Sequence, residues 1–187
     1  QLIFPFELKL LGVSKLYSPM NLCPFLLKLF NIKVVLALQS NLPWVFFNTM
    51  PGNKLRNLIT KKFMEISIFF CDLLIVDSNF AKNEISNILN IKKNKIEVVY
   101  LGLDKKFLSS QNNNDVVENF DYQQKYLFSV ISCVKYHNIL NLLRAFRKLL
   151  DENSMQLKLV FVMQILDKKY YKILDNYIKK KFKNEEI

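Results

Sequence analysis

Apolar residues in this chain occur in two alternating patterns, short runs and helical repeats. Short runs rich in β-branched residues predict strands at Val13–Tyr17, Lys33–Leu38, Leu73–Val76, Ile96–Tyr100, Tyr126–Ile131 and Leu157–Met163. Apolar residues at helical spacing predict the intervening helices Lys54–Phe70, Asn79–Leu89, Ile139–Leu150 and Lys168–Phe182. Strands that alternate with helices are typical of an α/β fold with parallel sheets.

The helix predicted at Lys54–Phe70 carries a regular apolar face, which we expect to face the core of a domain. That face consists of Leu55, Leu58, Ile59, Phe63, Ile66 and Phe70. Its other sides carry Lys54, Arg56, Lys61 and Lys62. These cations fit either the solvated side of a domain helix or attachment to an anionic lipid surface. In the later helices, the same spacing predicts that Ile88, Leu142, Leu149 and Ile173 face the core.

A polar stretch at 109–124, SSQNNNDVVENFDYQQ, interrupts the alternation and predicts an interdomain linker. It divides the chain into a first domain at 1–108 and a second at 125–187. Gly12, Gly52 and Gly102 are the three glycines of the sequence, so the chain has neither a GxGxxG motif nor a P-loop. The chain begins with Gln1, and we expect it to be part of a longer protein.

The formal charge of +11 raises the question of an anionic partner. Lysines occur in most predicted helices and loops, together with many Asn, Ile and Phe residues, as an AT-rich genome would produce. This distribution favours a compositional bias first, an anionic membrane surface second and nucleic acid last. We therefore expect no nucleic-acid partner.

The cysteines Cys23, Cys71 and Cys133 are far apart and form no CxxC or Cys/His ligand spacing. We expect no disulfide framework and no metal site, and we interpret Cys71 and Cys133 as core residues in a reducing cytoplasm. Lys28, Lys33, Glu65 and Asp72 interrupt the apolar runs before they reach the length of a bilayer span. The sequence thus predicts a cytoplasmic protein, or one peripheral at the inner face of the membrane.

Two stretches carry a resemblance to a known family. The first is CDLLIVDSNFAKNEISNILNIKKNKIEVVYLGLDKKF at 71–107, and the second is YLFSVISCVKYHNILNLLRAFRKL at 126–149. Both resemble segments of nucleotide-sugar glycosyltransferases of the GT-B fold, in the large retaining family that includes mannosyl- and glucosyltransferases. The residues that match in the first stretch are Cys71, Asp72, Asp77, Ser78, Phe80, Ala81, Lys82, Glu84, Ile96, Val98, Val99, Tyr100, Gly102, Asp104 and Phe107.

The resemblance implies two incomplete Rossmann-like units, the first lacking its start and the second its end. It also implies that a sugar passes from a nucleotide-sugar donor to a saccharide or lipid-linked acceptor, with retention and with neither cofactor nor metal. Cell-envelope polysaccharide biosynthesis is the setting it suggests. Catalytic residues stay unassigned, because the glutamate-containing motif of the family would lie beyond Ile187.

By the same resemblance, the acceptor site would use Gln39, Ser40, Asn41 and Ser78. The donor site would use Gly102, Ser132, Lys135, His137 and Asn138. Two departures affect the donor site, because Ile131 stands where the family has glycine and His137 where it has lysine. Two alternatives therefore stay open: a non-catalytic or degenerate GT-B remnant that acts as a binding module, and a basic nucleic-acid-binding α/β protein.

Overall fold

Parallel β-sheets organise both compact units of the chain in a computed structural model. The structure describes residues 3–105, 125–152, 157–182 and 187. One sheet has four parallel strands and the other has two, which confirms an α/β fold with parallel sheets. The predicted linker at 109–124 lies outside the described residues, and the predicted domain bounds stay a prediction.

The four-stranded sheet is built by residues 3–105, and its strands follow one another in chain order, β1-β2-β3-β4. Its register aligns Ser18 with Leu36 and Leu38 with Val76, so the strands end at one edge. The elements are α1 (Ile3–Leu10), β1 (Lys15–Ser18), a 3-10 helix (Phe25–Phe30), β2 (Lys33–Leu38), α2 (Leu42–Val45), a 3-10 turn (Phe47–Thr49), α3 (Lys54–Phe70), β3 (Leu73–Val76), α4 (Asn79–Leu89), a 3-10 turn (Lys93–Lys95) and β4 (Ile96–Val98).

The helices of this unit cover one face of its sheet. Right-handed crossovers between strands added in one direction all fall on the same side, and one core joins the helices to alternate strand residues. That core contains Cys23, Leu27, Ile32, Val34, Leu36, Leu38, Met64, Ile68, Cys71, Leu74, Val76, Ile85 and Ile96. On the opposite face Tyr17 and Val99 are more than half exposed, so among the described residues this face is open near its carboxyl edge.

Helix α3 has the predicted bounds but not the predicted orientation. The side that meets the sheet carries Met64, Ser67 and Ile68. The residues predicted to face the core are instead exposed or half-buried: Leu55, Leu58, Ile59, Phe63, Ile66 and Phe70. The prediction was wrong because α3 is apolar on two opposite sides, and the narrower side contains a serine that forms buried hydrogen bonds.

Ser67 supplies those bonds. It is 2% exposed, and its hydroxyl accepts from the backbone N–H of Cys23 (3.0 Å) and bonds the Phe63 carbonyl (2.8 Å). Just beyond the helix, the Asp72 carboxylate accepts from the Val34 N–H at 2.7 Å. Lys95 donates to the carbonyls of the last helical turn, at 2.9 Å for Ile68. Lys95 thus satisfies carbonyls that the end of α3 leaves free, whereas Ser67 and Asp72 satisfy backbone N–H groups outside the helix.

The two-stranded sheet belongs to the second unit, whose described elements are β5 (Tyr126–Cys133), a 3-10 turn (Lys135–His137), α5 (Ile139–Glu152), β6 (Lys158–Ile165) and α6 (Lys168–Lys181). Its core contains Cys133, Ile139, Leu143, Phe146, Leu159, Tyr170 and Leu174. Phe128, Val130 and Val162 point to the other face of the sheet and are more than half exposed.

Four further residues were predicted to face a core but are exposed: Ile88, Leu142, Leu149 and Ile173. Each lies at the border of the apolar stripe of its helix. A repeat of 3.6 residues assigns such border positions less sharply than the centre of the stripe.

All three cysteines are buried, and the prediction of core cysteines is confirmed for Cys71 and Cys133. Burial raises the pKa of the Cys71 thiol from its ordinary value of 9.0 to about 11. Burial likewise raises the pKa of the Cys23 and Cys133 thiols. Because only the thiolate is a strong nucleophile, these side chains are unreactive in the folded chain near neutral pH.

The two isoleucines of α3 test its orientation. Ile68 is 1% exposed and Ile59 is 48% exposed. We expect Ile68→Ala to lower the free energy of unfolding by about 2 to 5 kcal/mol, because it leaves a cavity. We expect Ile59→Ala to change it by no more than about 0.5 kcal/mol. Urea denaturation followed by circular dichroism measures both, and equal losses would contradict the orientation of α3.

The cysteines give a second prediction. At about pH 8, iodoacetamide should label none of the three in the folded chain and all three in urea, whereas a cysteine introduced by Asn87→Cys on the surface of α4 should react at once. Rapid labelling of folded Cys71 would contradict its burial.

The same burial predicts how stability depends on pH. Because the pKa of Cys71 is higher in the folded chain, its protonated thiol favours folding below pH 9.0, and that contribution is lost as the pH rises towards about 11.

Candidate functional site

The carboxyl edge of the four-stranded sheet forms the principal candidate site. Gln39 follows β2, Asp77 follows β3 and Gly102 follows β4, and all three line a pocket of about 440 Å³. A smaller cavity of about 50 Å³ adjoins it and shares Gln39 and Asp77. Ligands of open parallel sheets bind at this edge because successive strands deliver their following loops to the same place.

The turn after β1 positions Gln39. Asn21 adopts a left-handed conformation (φ 59°), and its side-chain oxygen accepts from the Gln39 backbone N–H at 2.7 Å. The Asn21 backbone N–H donates to the carbonyl of Ala37 at 3.0 Å. Asparagine tolerates this conformation better than most residues. The turn therefore holds the end of β2 and leaves the Gln39 side chain exposed beside the pocket.

Ser78 has a structural role in the acceptor site predicted from the sequence. Its hydroxyl accepts from the Ala81 N–H at 3.2 Å and caps α4, and it lies 3.2 Å from a carboxylate oxygen of Asp77, to which it can donate. Asp77 lines both cavities, whereas Ser78 lines neither. Asp77, the residue next to the predicted one, therefore lines the cavities, and Ser78 can donate a hydrogen bond to its carboxylate.

Ser40 and Asn41 line only the smaller cavity. The Ser40 hydroxyl accepts from the Leu42 N–H at 3.2 Å at the start of α2. The Asn41 side-chain amide donates to the carboxylate of Glu84 on α4. Both side chains thus tie the loop after β2 to neighbouring helices, and Gln39 is the predicted acceptor residue that reaches the larger pocket.

Two tyrosines flank the larger pocket. Tyr17 on β1 and Tyr100 after β4 are 59% and 67% exposed. The hydroxyl of Tyr100 accepts from the side-chain amide of Asn79 at 2.9 Å, which fixes the ring. Aromatic rings offer an apolar face together with a polar hydroxyl group. Asp77 and these tyrosines are not among the site residues predicted from the sequence, although each lies at or close to a strand end.

Gly102 lies in this first-unit pocket, whereas the other predicted donor residues belong to the second unit. Its φ is not positive, and a Cβ built on it would meet no described atom within 4 Å. The described structure therefore gives no local steric reason for a glycine. A pocket wall without a side chain does leave room for a ligand to approach the backbone.

A second pocket, of about 510 Å³, lies at the carboxyl end of β5 and β6. It brings together Ser132 and His137 from the predicted donor set, beside Ile131 and Gln164. The His137 Nδ1 lies 2.7 Å from the Ser132 carbonyl oxygen. Since a carbonyl only accepts, Nδ1 carries the proton, and in a neutral ring Nε2 is then an acceptor. A neutral His137 consequently offers a phosphate oxygen no donor.

Lys135 and Asn138 do not line this pocket. Lys135 is exposed, and Asn138 adopts a left-handed conformation (φ 57°) between the 3-10 turn and α5. At the start of α5, the Leu140 N–H donates to the Tyr170 hydroxyl at 3.1 Å. This bond occupies one of the backbone donors that a helix N-terminus could offer to an anion.

No model of a known protein family matches the chain, and no curated protein sequence matches it. Within the described ranges, no group of three or more His, Cys, Asp or Glu side chains could hold a metal ion. No helix in those ranges is long and apolar enough to cross a membrane.

Proposed function

We propose that this chain is a glycosyltransferase of the GT-B type, in which the first unit receives a saccharide or lipid-linked acceptor and the second begins the site for a nucleotide-sugar donor. The observation that carries the proposal is the convergence of Gln39, Asp77 and Gly102 on one pocket at the carboxyl edge of a parallel sheet. Its family assignment rests on the resemblance of 71–107 and 126–149.

The larger pocket of the first unit has chemistry suited to a sugar. The Asp77 carboxylate accepts hydrogen bonds from hydroxyl groups, and the Gln39 carboxamide both donates and accepts. Tyr17 and Tyr100 add apolar ring faces beside them. A volume of about 440 Å³ is in the range of small-molecule sites.

The pocket of the second unit, where the donor would bind, lacks positively charged lysine or arginine in its described lining. A departing nucleotide diphosphate is stabilised by cations and positioned donors, but the described lining of the second pocket contains no lysine or arginine. The Nδ1–H group of His137 is also already donated to the carbonyl oxygen of Ser132. These features support the second candidate function, a GT-B remnant that binds ligands without transferring sugar.

The setting follows from the same resemblance. We propose cytoplasmic action at the inner face of a membrane, in the assembly of cell-envelope polysaccharide, with neither metal nor cofactor and without nucleic acid. By this proposal we expect no transferase turnover from the chain, since the described lining of its second pocket offers no lysine or arginine to a departing nucleotide diphosphate.

The acceptor site is tested by Asp77→Asn, which keeps the shape of the side chain and removes its charge. Saturation-transfer NMR with methyl α-mannoside and methyl α-glucoside should show binding that weakens about tenfold or more in this variant, since a hydrogen bond to a charged group contributes about 1.5 to 3 kcal/mol. Glu7→Gln on the exposed surface of α1 should have no effect. Unchanged binding in Asp77→Asn, or no binding of either glycoside, would contradict the acceptor assignment.

The donor site is tested by His137→Lys, which restores the cation of the family pattern. Calorimetric titration with uridine and guanosine diphosphates should show weak binding to the unaltered chain and a gain of tens- to about a hundredfold in His137→Lys. Asn176→Lys adds the same charge to the exposed surface of α6 and should give little gain. Tight binding by the unaltered chain that His137→Lys leaves unchanged would place the diphosphate in another loop.

A further inference from the structure

The outward side of α3 carries a row of large apolar side chains in the first unit. Its members lie opposite the buried side of the helix and run along almost its whole length. Their exposed fractions lie between 37% and 74%. We call this surface the outer stripe, and it consists of Leu55, Leu58, Ile59, Phe63, Ile66 and Phe69.

A helix that carries large apolar side chains on both sides needs a second apolar environment in addition to its own core. The outer stripe spans 14 residue steps, or about 21 Å at 1.5 Å for each residue. The 3-10 helix Phe25–Phe30, which packs beside α3, adds an exposed Leu29. Exposed apolar surface of this extent on one face marks a site of association.

The charges around the outer stripe identify the partner. Helix α3 carries Lys54, Arg56, Lys61 and Lys62 but a single acidic residue, Glu65. That carboxylate already accepts from Lys62 at 2.7 Å and from the Trp44 indole N–H at 3.1 Å. The surface therefore combines apolar side chains with cations. By helical spacing the exposed Lys62 lies among the residues of the outer stripe, and it is the partner of the one acid.

This combination fits an anionic bilayer. An interfacial helix inserts leucine, isoleucine and phenylalanine at the boundary of the acyl chains, while lysine and arginine reach the headgroups. Anionic lipids add attraction for each cation close to the surface. A helix that lies in the plane of the bilayer surface places such a row of apolar side chains in contact with the bilayer along its whole length.

We propose that the outer stripe of α3 docks the first unit onto an anionic lipid bilayer, with the helix lying in the plane of the interface. The inference does not rest on the proposed sugar transfer. A chain without any transferase activity would bind in the same way.

Vesicle flotation tests the proposal on the whole chain. Vesicles of equal parts phosphatidylcholine and phosphatidylglycerol should carry the protein, and vesicles of phosphatidylcholine alone should carry far less. The triple variant Leu55→Ser, Ile59→Ser, Phe69→Ser should lower the partition coefficient by about tenfold or more, because each substitution removes apolar area from the interface. Lys54→Gln and Arg56→Gln should each lower it about fivefold.

Exposed residues outside α3 provide matched control variants of the same residue types. Phe128→Ser and Ile173→Ser, combined with Leu103→Ser from the first unit, alter side chains that are 58%, 50% and 72% exposed. Lys168→Gln and Lys180→Gln remove exposed charges from α6. Neither set should change binding by more than about twofold, and the urea midpoint of every variant should stay close to that of the unaltered chain.

Three results would overturn the proposal. Equal losses from the α6 and α3 charge variants would show that overall charge, and not this helix, drives binding. Binding that survives the triple serine variant would remove the role of the outer stripe. The third result is a chain that binds neither kind of vesicle and sediments as a dimer. If the triple serine variant is then a monomer, the outer stripe joins two copies of the chain.

Discussion

The hydrogen bonds at the carboxyl end of α3 are the constraint on which the first unit depends. Ser67 forms buried bonds to the backbone of Cys23, and Asp72 holds the start of β2 through Val34. Lys95, just before β4, ties the last turn of the helix. Leaving a buried backbone group unmet costs about 1 to 3 kcal/mol, so the bonds of Ser67 favour the observed side of α3 against the sheet.

The orientation of α3 also bears on the sheet and on the candidate site. With Ser67 turned inward, the side of α3 that carries Met64, Ser67 and Ile68 is buried. In the sheet, β2 and β3 pair with Leu38 opposite Val76, so their carboxyl ends lie at one edge. That register brings Gln39 and Asp77 to the same pocket. The geometry of the candidate site thus depends on polar contacts far from it along the chain.

Periodicity reports local structure directly, and four of the ten predicted elements, β2, α3, β3 and α4, agree with the predicted ranges residue for residue. The other six differ from the prediction by one or two residues at their ends. The sequence did not predict the orientation of α3, because two apolar sides give the same period and the choice lies in contacts between residues 44 positions apart. Of the predicted site residues, Gln39 and Gly102 line the larger pocket of the first unit, and Ser132 and His137 line the pocket of the second. The sequence also did not predict that Asp77 lines both cavities while the adjacent Ser78 caps α4, because which of two neighbouring polar residues faces a cavity depends on backbone geometry that residue type alone does not reveal.

The two faces of the four-stranded sheet bear on how long an acceptor must be. Tyr17 and Val99, beside the larger pocket, point away from the face that α3 covers. One helix layer and the sheet separate the outer surface of α3 from that opening, a thickness of roughly 15 Å. If α3 rests on a bilayer, as proposed, a headgroup at the lipid surface lies about that distance from the pocket. In that case a lipid-linked acceptor would reach the pocket only if the spacer between its lipid and its sugar extends past the edge of the sheet.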